Sequence, residues 1–246
     1  METVETRKTP RLDTWLWLLL GSAVGTWLAV IVVTPHGALP GLLPALAASV
    51  SGATAYWYLG RVGGFVAYTL LWLSVAFGLL MTGKVARRWP GARQALSIHQ
   101  FISILALVYA LFHALILLGD RYMGYTVANL LIPFASTQYR PLWVGLGQVG
   151  FYLIVVLTLS FYLRKRLGPR AWRRLHYLSF GLYLLVTVHG LLAGTDARTP
   201  FALALYGITG LATYTLTVYR ILVTVRSKST VLKGTHVQTI GHHSAG

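Results

Sequence analysis

Residues 97–118 read SIHQFISILALVYALFHALILL, and residues 172–192 read WRRLHYLSFGLYLLVTVHGLL. Each run is as long as the roughly 20 residues that an apolar α-helix needs to cross the hydrocarbon core of a bilayer. Each also carries two histidines, and ionisable residues in lipid are costly and usually face the interior of a helix bundle at a functional site. The runs therefore predict two membrane helices that share such a site. Its candidate residues are His99, His113, His176 and His189.

The composition of the 246-residue chain also indicates a membrane protein, since 56% of the residues are hydrophobic and only 11% are charged. Ordinary soluble domains carry roughly 25% charged residues. The net charge of +16 is spread over short segments between apolar runs, so it indicates membrane topology and not a nucleic-acid-binding face. The absence of cysteine excludes disulfides, iron–sulfur clusters, zinc–thiolate sites and covalently attached c-type heme. Any heme must therefore be held by coordination alone.

Six apolar runs predict an all-α bundle of six transmembrane helices within one domain, residues 14–225. The runs are 14–34, 56–82, 97–118, 142–163, 172–192 and 201–225. Seventeen of the 21 lysines and arginines fall on one side of this arrangement, and the positive-inside rule assigns that side and both termini to the cytoplasm. We expect residues 1–13 to precede a retained first helix and residues 226–246 to form a flexible cytoplasmic tail. We expect an interfacial or re-entrant connection at 36–54, and at 120–140 a short surface helix that ends near Pro133.

The spacing of the histidines predicts two separate iron sites, one above the other. Fourteen residues separate His99 from His113, and thirteen separate His176 from His189, which corresponds to roughly 20 Å along each helix. Because both helices run in the same direction, His99 is level with His176, and His113 with His189. Fourteen residues return to nearly the same face of a helix, but thirteen leave roughly 140° between the two histidines of the fifth run. We therefore expect either that this helix is distorted, with Gly181 as the candidate bend, or that its two histidines approach their hemes from different azimuths.

Two neutral imidazoles at each level suit the axial positions of a heme iron, with the macrocycle lying between the helices. One zinc or copper ion cannot collect all four histidines over such a distance. A proton relay has less support, because none of the five acidic residues lies in an apolar run, which also argues against carboxylate acid–base catalysis. Arginines near the ends of the runs are candidates for binding heme propionates, although the positive-inside rule explains the inner ones equally well. They are Arg88, Arg93, Arg173 and Arg174 inside and Arg61, Arg140 and Arg198 outside.

From residue 56 to residue 225 the chain resembles the ferric reductase-like transmembrane domain, which NADPH oxidases, ferric reductases and the heme subunit of the bacterial periplasmic methionine sulfoxide reductase system share. The resemblance is carried by the two histidine runs, by YWYLGRVGGFVAYTLLWLSVAFGLLMTGKVAR at 56–87 and by VANLLIPFASTQYRPLWVGLG at 127–147. A histidine pair 14 apart, followed by a pair 13 apart, is also the pattern of the oxidases. The resemblance implies two b-type hemes, an inner one on His99 and His176 and an outer one on His113 and His189.

The chain differs from the oxidases and ferric reductases of that family, which continue into flavin- and nicotinamide-binding domains. It ends soon after the sixth run, so we expect electrons to come from a separate flavoprotein or quinol and to leave to a partner such as a periplasmic protein. The expected function is outward electron transfer across the plasma (inner) membrane, as the heme-containing component of an oxidoreductase system. Two alternatives stay open: a structural or assembly subunit of a larger respiratory or photosynthetic complex, and a transporter or proton conductor, which the clean apolar runs disfavour.

Overall fold

The structure, a computed structural model, describes residues 53–82, 91–120 and 123–243, with side chains up to residue 225. The predicted first helix at 14–34 and most of the connection at 36–54 lie outside these residues. All regular structure in the described part of the chain is helical, without a strand. The helices are α1 (Ala53–Thr82), α2 (Ala92–Ile116), α3 (Val127–Leu131), α4 (Pro141–His176), α5 (Leu178–Ala193) and α6 (Pro200–His243), with a short 3-10 turn at Leu117–Gly119.

Four of these helices, α1, α2, α4 and α6, are long and apolar enough to cross a membrane, and α5 is a shorter apolar helix. A helix satisfies its backbone hydrogen bonds internally, which the interior of a bilayer requires. The prediction of an all-α protein with membrane-spanning helices is confirmed by this length and composition. The six-helix count stays a prediction because the structure does not describe residues 14–34. The orientation and the kind of membrane also stay predictions, since length and composition do not test them.

The described helices pair into two hairpins, in which α1 packs most extensively against α2 and α4 against α5. Both hairpins are antiparallel: Gly64 of α1 lies beside His113 of α2, whereas Gly78, further along α1, lies beside the earlier His99. Helices α2 and α5 are not among the helix pairs in extensive backbone contact, although α2 carries His99 and His113 and α5 carries His189. The side chains of the two hairpins therefore meet in a space that has α2 on one side and the end of α4, together with α5, on the other.

Helix α4 is divided at Gly168, whose backbone dihedral angles are φ 75° and ψ 160°. Only glycine adopts this region readily, and the following Pro169 has no N–H to continue the helical hydrogen-bond pattern. The helix of the predicted fourth run, 142–163, therefore continues past its predicted end as far as this break. The predicted fifth run begins with the last turns of α4 and continues through α5.

The expected bend at Gly181 is wrong, because α5 runs as regular helix from Leu178 to Ala193. The irregularity lies instead at Tyr177, directly after His176, which separates α4 from α5. Tyr177 keeps helical dihedral angles, φ −63° and ψ −21°. Its carbonyl, however, accepts a hydrogen bond from the N–H of Phe180, only three residues later, at 3.2 Å. Shorter-range bonds of this kind wind a helix more tightly. We infer that this tighter winding changes the direction in which His176 projects from the helix relative to His189. An ideal helix would leave a mismatch between these two directions.

The connection between the hairpins contains the predicted short helix, α3, which ends two residues before Pro133. Thr126 and Asn129 form a reciprocal capping box at its start. Gln148 of α4 then fixes the end of α3, because its side-chain amide donates to the carbonyls of Asn129 and Leu130 at 2.6 and 2.9 Å. The short helix is confirmed, and its position at a membrane surface stays a prediction.

Helix α6 joins the first hairpin through a buried polar contact. The hydroxyl of Tyr68 on α1 lies 2.7 Å from that of Thr209 on α6 and 3.1 Å from that of Tyr183 on α5. Burial of hydroxyls is tolerated when they bond one another, so this group fixes the register of three helices. Further along, the backbone of α6 stays helical to His243, where the sequence predicted a flexible tail from residue 226.

Candidate functional site

The structure brings the four histidines together as two facing pairs. The ring centres of His99 and His176 are 6.1 Å apart, with their planes at 81°. Those of His113 and His189 are 6.4 Å apart, with their planes at 72°. The members of each pair are the residues that helix rise places at one level. All four side chains are partly buried.

The distance within each pair fits one metal ion between two imidazoles. A metal–nitrogen bond is about 2 Å long. With a ring nitrogen roughly 1 Å from its ring centre, a linear nitrogen–metal–nitrogen unit separates the ring centres by about 6 Å. In the described residues no group of three or more histidine, cysteine, aspartate or glutamate side chains is gathered around one point. Two facing imidazoles, without a further protein ligand among the described residues, would match the axial donor set of a heme iron, whereas zinc requires more ligands.

His113 shows how the rings are held. Its Nδ1 donates a hydrogen bond to the backbone carbonyl of Gly60 on α1, at 2.6 Å. One helical turn later stands Gly64, where an added Cβ would lie 3.1 Å from Cε1 and Nδ1 of the same ring. The ring therefore reaches the helix backbone because position 64 has no side chain. The same helix thus offers a backbone carbonyl at position i and a glycine at position i+4, and the imidazole lies against both. We call this unit a carbonyl–glycine notch.

The same notch holds His99 on the other end of α1. Its Nδ1 lies 3.0 Å from the carbonyl oxygen of Ser74, and Gly78 is the glycine four residues later, with a Cβ position 3.6 Å from Cε1. The hydroxyl of Ser74 is also 3.3 Å from Nδ1, and it bonds the hydroxyl of Ser103 at 2.7 Å. The first hairpin thus anchors one ring at each level.

A third notch, on α4, holds His189. The Nδ1 of this ring donates to the carbonyl of Trp143 at 2.8 Å, and Gly147 follows four residues later. The approach is closest here, since a Cβ at position 147 would lie 2.5 Å from Nδ1 and 2.6 Å from Cε1. Glycine is therefore the residue that allows this ring position.

The notches determine which ring nitrogen is free to bind a metal. A carbonyl oxygen only accepts, so Nδ1 must carry the proton in all three rings, and Nε2 keeps its lone pair. Metal-binding histidines almost always donate their other N–H in this way, which orients the ring and raises its basicity. The sequence prediction found the histidines but missed the notches. A signal was present, because Gly64 and Gly78 are 14 residues apart, as His99 and His113 are.

His176 is held differently from the other three. In the part of the chain that the structure describes, neither of its ring nitrogens has a hydrogen bond. Its ring stacks instead on Trp172, with centres 5.0 Å apart and planes at 19°. The indole Nε1 of Trp172 is buried and has no acceptor among the described residues. A buried donor of this kind usually has an unseen partner, and an anionic heme propionate would supply one.

An apolar layer separates the two levels. Leu71, Ala106, Ile154 and Leu182 form a buried cluster contributed by α1, α2, α4 and α5. Ala106 lies seven residues from each histidine of α2. Leu182 is only 2% exposed and Ala106 is fully buried. The layer excludes water between the pairs and keeps them apart at a fixed distance.

The arginines predicted to bind propionates occupy different settings. Arg93 and Arg174 are exposed near the ends of their helices, and Arg173 donates from Nε to the carbonyl of Pro169 at 3.0 Å. Arg140 adopts a left-handed conformation, φ 40°, before α4 and donates to the carbonyl of Leu192 at the end of α5, at 2.5 Å. Cations at a helix C-terminus stabilise the unpaired carbonyls there. Arg140 therefore has a structural role, and propionate binding by these four arginines stays a prediction.

Arg61 and Asp196 form an ion pair between α1 and the turn after α5. The guanidinium of Arg61 also lies 3.8 Å from the ring centre of Trp57, a cation–π contact. Both charged groups are only about a quarter exposed, with 24% and 22% of their side chains accessible. Because Gly60 precedes Arg61, this pair fixes the stretch of α1 that offers its carbonyl to His113.

The fold and the site together define an all-helical membrane-type protein with two stacked histidine pairs between two helical hairpins. The chain belongs to the family described as Domain of unknown function (DUF8596), whose model matches residues 55–196. That range contains all four histidines and the three notches. No curated protein and no solved structure matches the sequence.

Proposed function

We propose that the protein transfers electrons across a membrane through two b-type hemes, as the membrane component of an oxidoreductase system with a separate electron donor. The observation that carries the proposal is the pairing of imidazoles at the distance of two axial ligands, with Nδ1 of three rings fixed on backbone carbonyls. Metal-binding histidines almost always donate their other ring N–H in this way. A buried structural histidine also needs an acceptor for its N–H, so the support comes from the anchoring together with the pairing of the rings.

In this proposal His99 and His176 hold the inner heme, and His113 and His189 hold the outer one. A bound heme supplies a one-electron couple whose potential depends on its axial ligands and on burial. The protein's own residues do the rest: the notches orient the imidazoles, and the layer around Leu182 keeps water out of the space between the levels. Bond-making chemistry is left to proteins or small molecules that dock at either face.

The resemblance to the ferric reductase-like transmembrane domain supports the same assignment. Under that resemblance, a flavoprotein or a quinol donates electrons at the inner level, and a partner outside the membrane receives them. The described residues offer little for catalysis of their own, since their Asp120 and Asp196 lie outside the membrane-spanning helices. The proposed role is therefore that of an electron conduit.

The experiment is a heme count on the purified protein, by pyridine hemochrome assay and reduced-minus-oxidised visible spectrum. Two b-type hemes per chain are expected, with about one lost in His99→Ala and one in His113→Ala. His236→Ala is the matched control, because that histidine lies outside the residues that the family model matches. A protein without heme refutes the proposal and favours a structural or assembly subunit.

A further inference from the structure

The two rings of the inner pair, His99 and His176, are anchored differently. The inference drawn from this difference rests on the proposed function. His99, His113 and His189 each donate from Nδ1 to a backbone carbonyl of a neighbouring helix. His176 has no such bond among the described residues. The outer pair is thus anchored at both rings, and the inner pair at one.

His176 also differs from the other three in its place along the helix. It is the last residue of α4, next to the irregular turn at Tyr177, whereas His189 lies well inside α5. His99 and His113 lie within α2. Removing an anchored ring from a metal breaks a buried hydrogen bond and leaves a carbonyl unpaired. Moving the ring of His176 breaks no hydrogen bond to a described residue and gives up its stacking on Trp172.

We propose that His176 is an exchangeable ligand, so that the inner site takes up a small neutral diatomic ligand such as carbon monoxide, while the outer site stays closed. With heme bound, the incoming ligand would donate its lone pair to the iron in place of the Nε2 lone pair of His176, with no electron transferred and no proton moved. His99, held in its notch, would remain the protein's ligand at this site.

Trp172 is the residue that keeps His176 in place. Its indole covers one face of the imidazole at stacking distance and with nearly parallel planes. Aromatic contacts of this kind add to the stability that burial alone provides. Trp172→Leu is therefore expected to raise the affinity of the inner site for carbon monoxide by about tenfold, the lower end of second-shell effects.

The control for this variant is Tyr162→Leu. Tyr162 is an aromatic residue of α4, as Trp172 is, but it is 68% exposed. Its ring packs against that of Phe161, and it takes part in neither a histidine pair nor a notch. Its replacement is expected to leave carbon monoxide binding unchanged.

The experiment is a carbon monoxide titration of the full-length, dithionite-reduced protein, followed by visible spectroscopy. About one carbon monoxide per two hemes is expected. Binding should persist when the outer site is removed by the double variant His113→Ala/His189→Ala. It should vanish in His99→Ala/His176→Ala, which leaves only the outer site.

Each contrary outcome is distinguishable. Two hemes without carbon monoxide binding, binding at both hemes, or binding in the variant that keeps only the outer site overturns the inference and leaves the proposed function intact. Absence of heme in the wild-type protein refutes the proposed function itself. If the double variants do not fold, the comparison of Trp172→Leu with Tyr162→Leu decides, because equal affinities in the two variants overturn the inference.

Discussion

Replacing Gly147 by alanine puts a methyl group where the ring of His189 lies. The new Cβ would be 2.5 Å from Nδ1, 2.6 Å from Cε1 and 2.9 Å from Cγ. Non-bonded heavy atoms pack at about 3.5–4.0 Å, so the ring has to move by about 1 Å. Metal–ligand distances tolerate only about 0.2 Å. We expect the outer site to bind heme about 10- to 100-fold more weakly, the range typical of second-shell disruption.

Gly78→Ala is the matched control for Gly147→Ala. It is the same substitution in the same kind of notch, but its Cβ would lie 3.6 Å from Cε1 of His99, an ordinary contact distance. Gly64→Ala, at 3.1 Å from the ring of His113, should give an intermediate effect. Alanine is favoured over glycine in a helix by about 1 kcal/mol, so the control is expected to keep its stability.

The assay for this series is the heme-to-protein ratio after purification, together with the rate of heme transfer to excess apomyoglobin. Gly147→Ala should retain the inner heme, about one per chain, and should lose the outer heme faster than the wild-type protein does. Gly78→Ala should retain two. The reasoning is refuted if Gly147→Ala keeps both hemes at the wild-type transfer rate, or if the order of the three variants is reversed.

Three further predictions follow from the same geometry. The imidazole planes at 81° and 72° should give strongly anisotropic low-spin ferric EPR signals; a rhombic signal, as from near-parallel planes, would contradict the pair geometry. Leu182→Ala should cost about 2–5 kcal/mol by opening a cavity, seen as a lower thermal midpoint with both hemes retained, and an unchanged midpoint would show that the layer is not closely packed. Arg61→Ala should cost about 2 kcal/mol by leaving Asp196 unpaired, and the outer heme should be the one lost first on heating; loss of the inner heme first would contradict the role of this ion pair.

The sequence predicted the helices well because the constraint that produces them is local. In lipid, a chain has to satisfy its backbone hydrogen bonds within the segment, so apolar length alone identifies α1, α2, α4 and α6. Residue rise along a helix is equally local, and it placed the histidines in the pairs that the structure brings together. Both results come from properties of one segment at a time.

The features that the sequence analysis missed depend on two segments at once. A notch needs a carbonyl and a glycine on one helix and an imidazole on another, so neither His189 nor Gly147 indicates it alone. The sequence could not locate the irregularity after His176 either. Ideal helix geometry gives the angle between the directions of His176 and His189, but it does not say which residue between them departs from the ideal helix. Gly181 was the wrong choice because glycine in a packed helix does not itself require a bend.

The first hairpin can anchor a histidine at both levels because the notch glycines of α1 and the histidines of α2 have the same spacing along their helices. Fourteen residues are nearly four full turns, so Gly64 and Gly78 lie on one face of α1 and His99 and His113 on one face of α2. The second hairpin has no such match, since thirteen residues do not complete four turns. It seats His189 in a notch of α4, whereas His176 stacks on Trp172 and has no ring hydrogen bond among the described residues. A change in the packing of α4 against α5 therefore acts directly on the outer site, where the ring of His189 lies against Gly147.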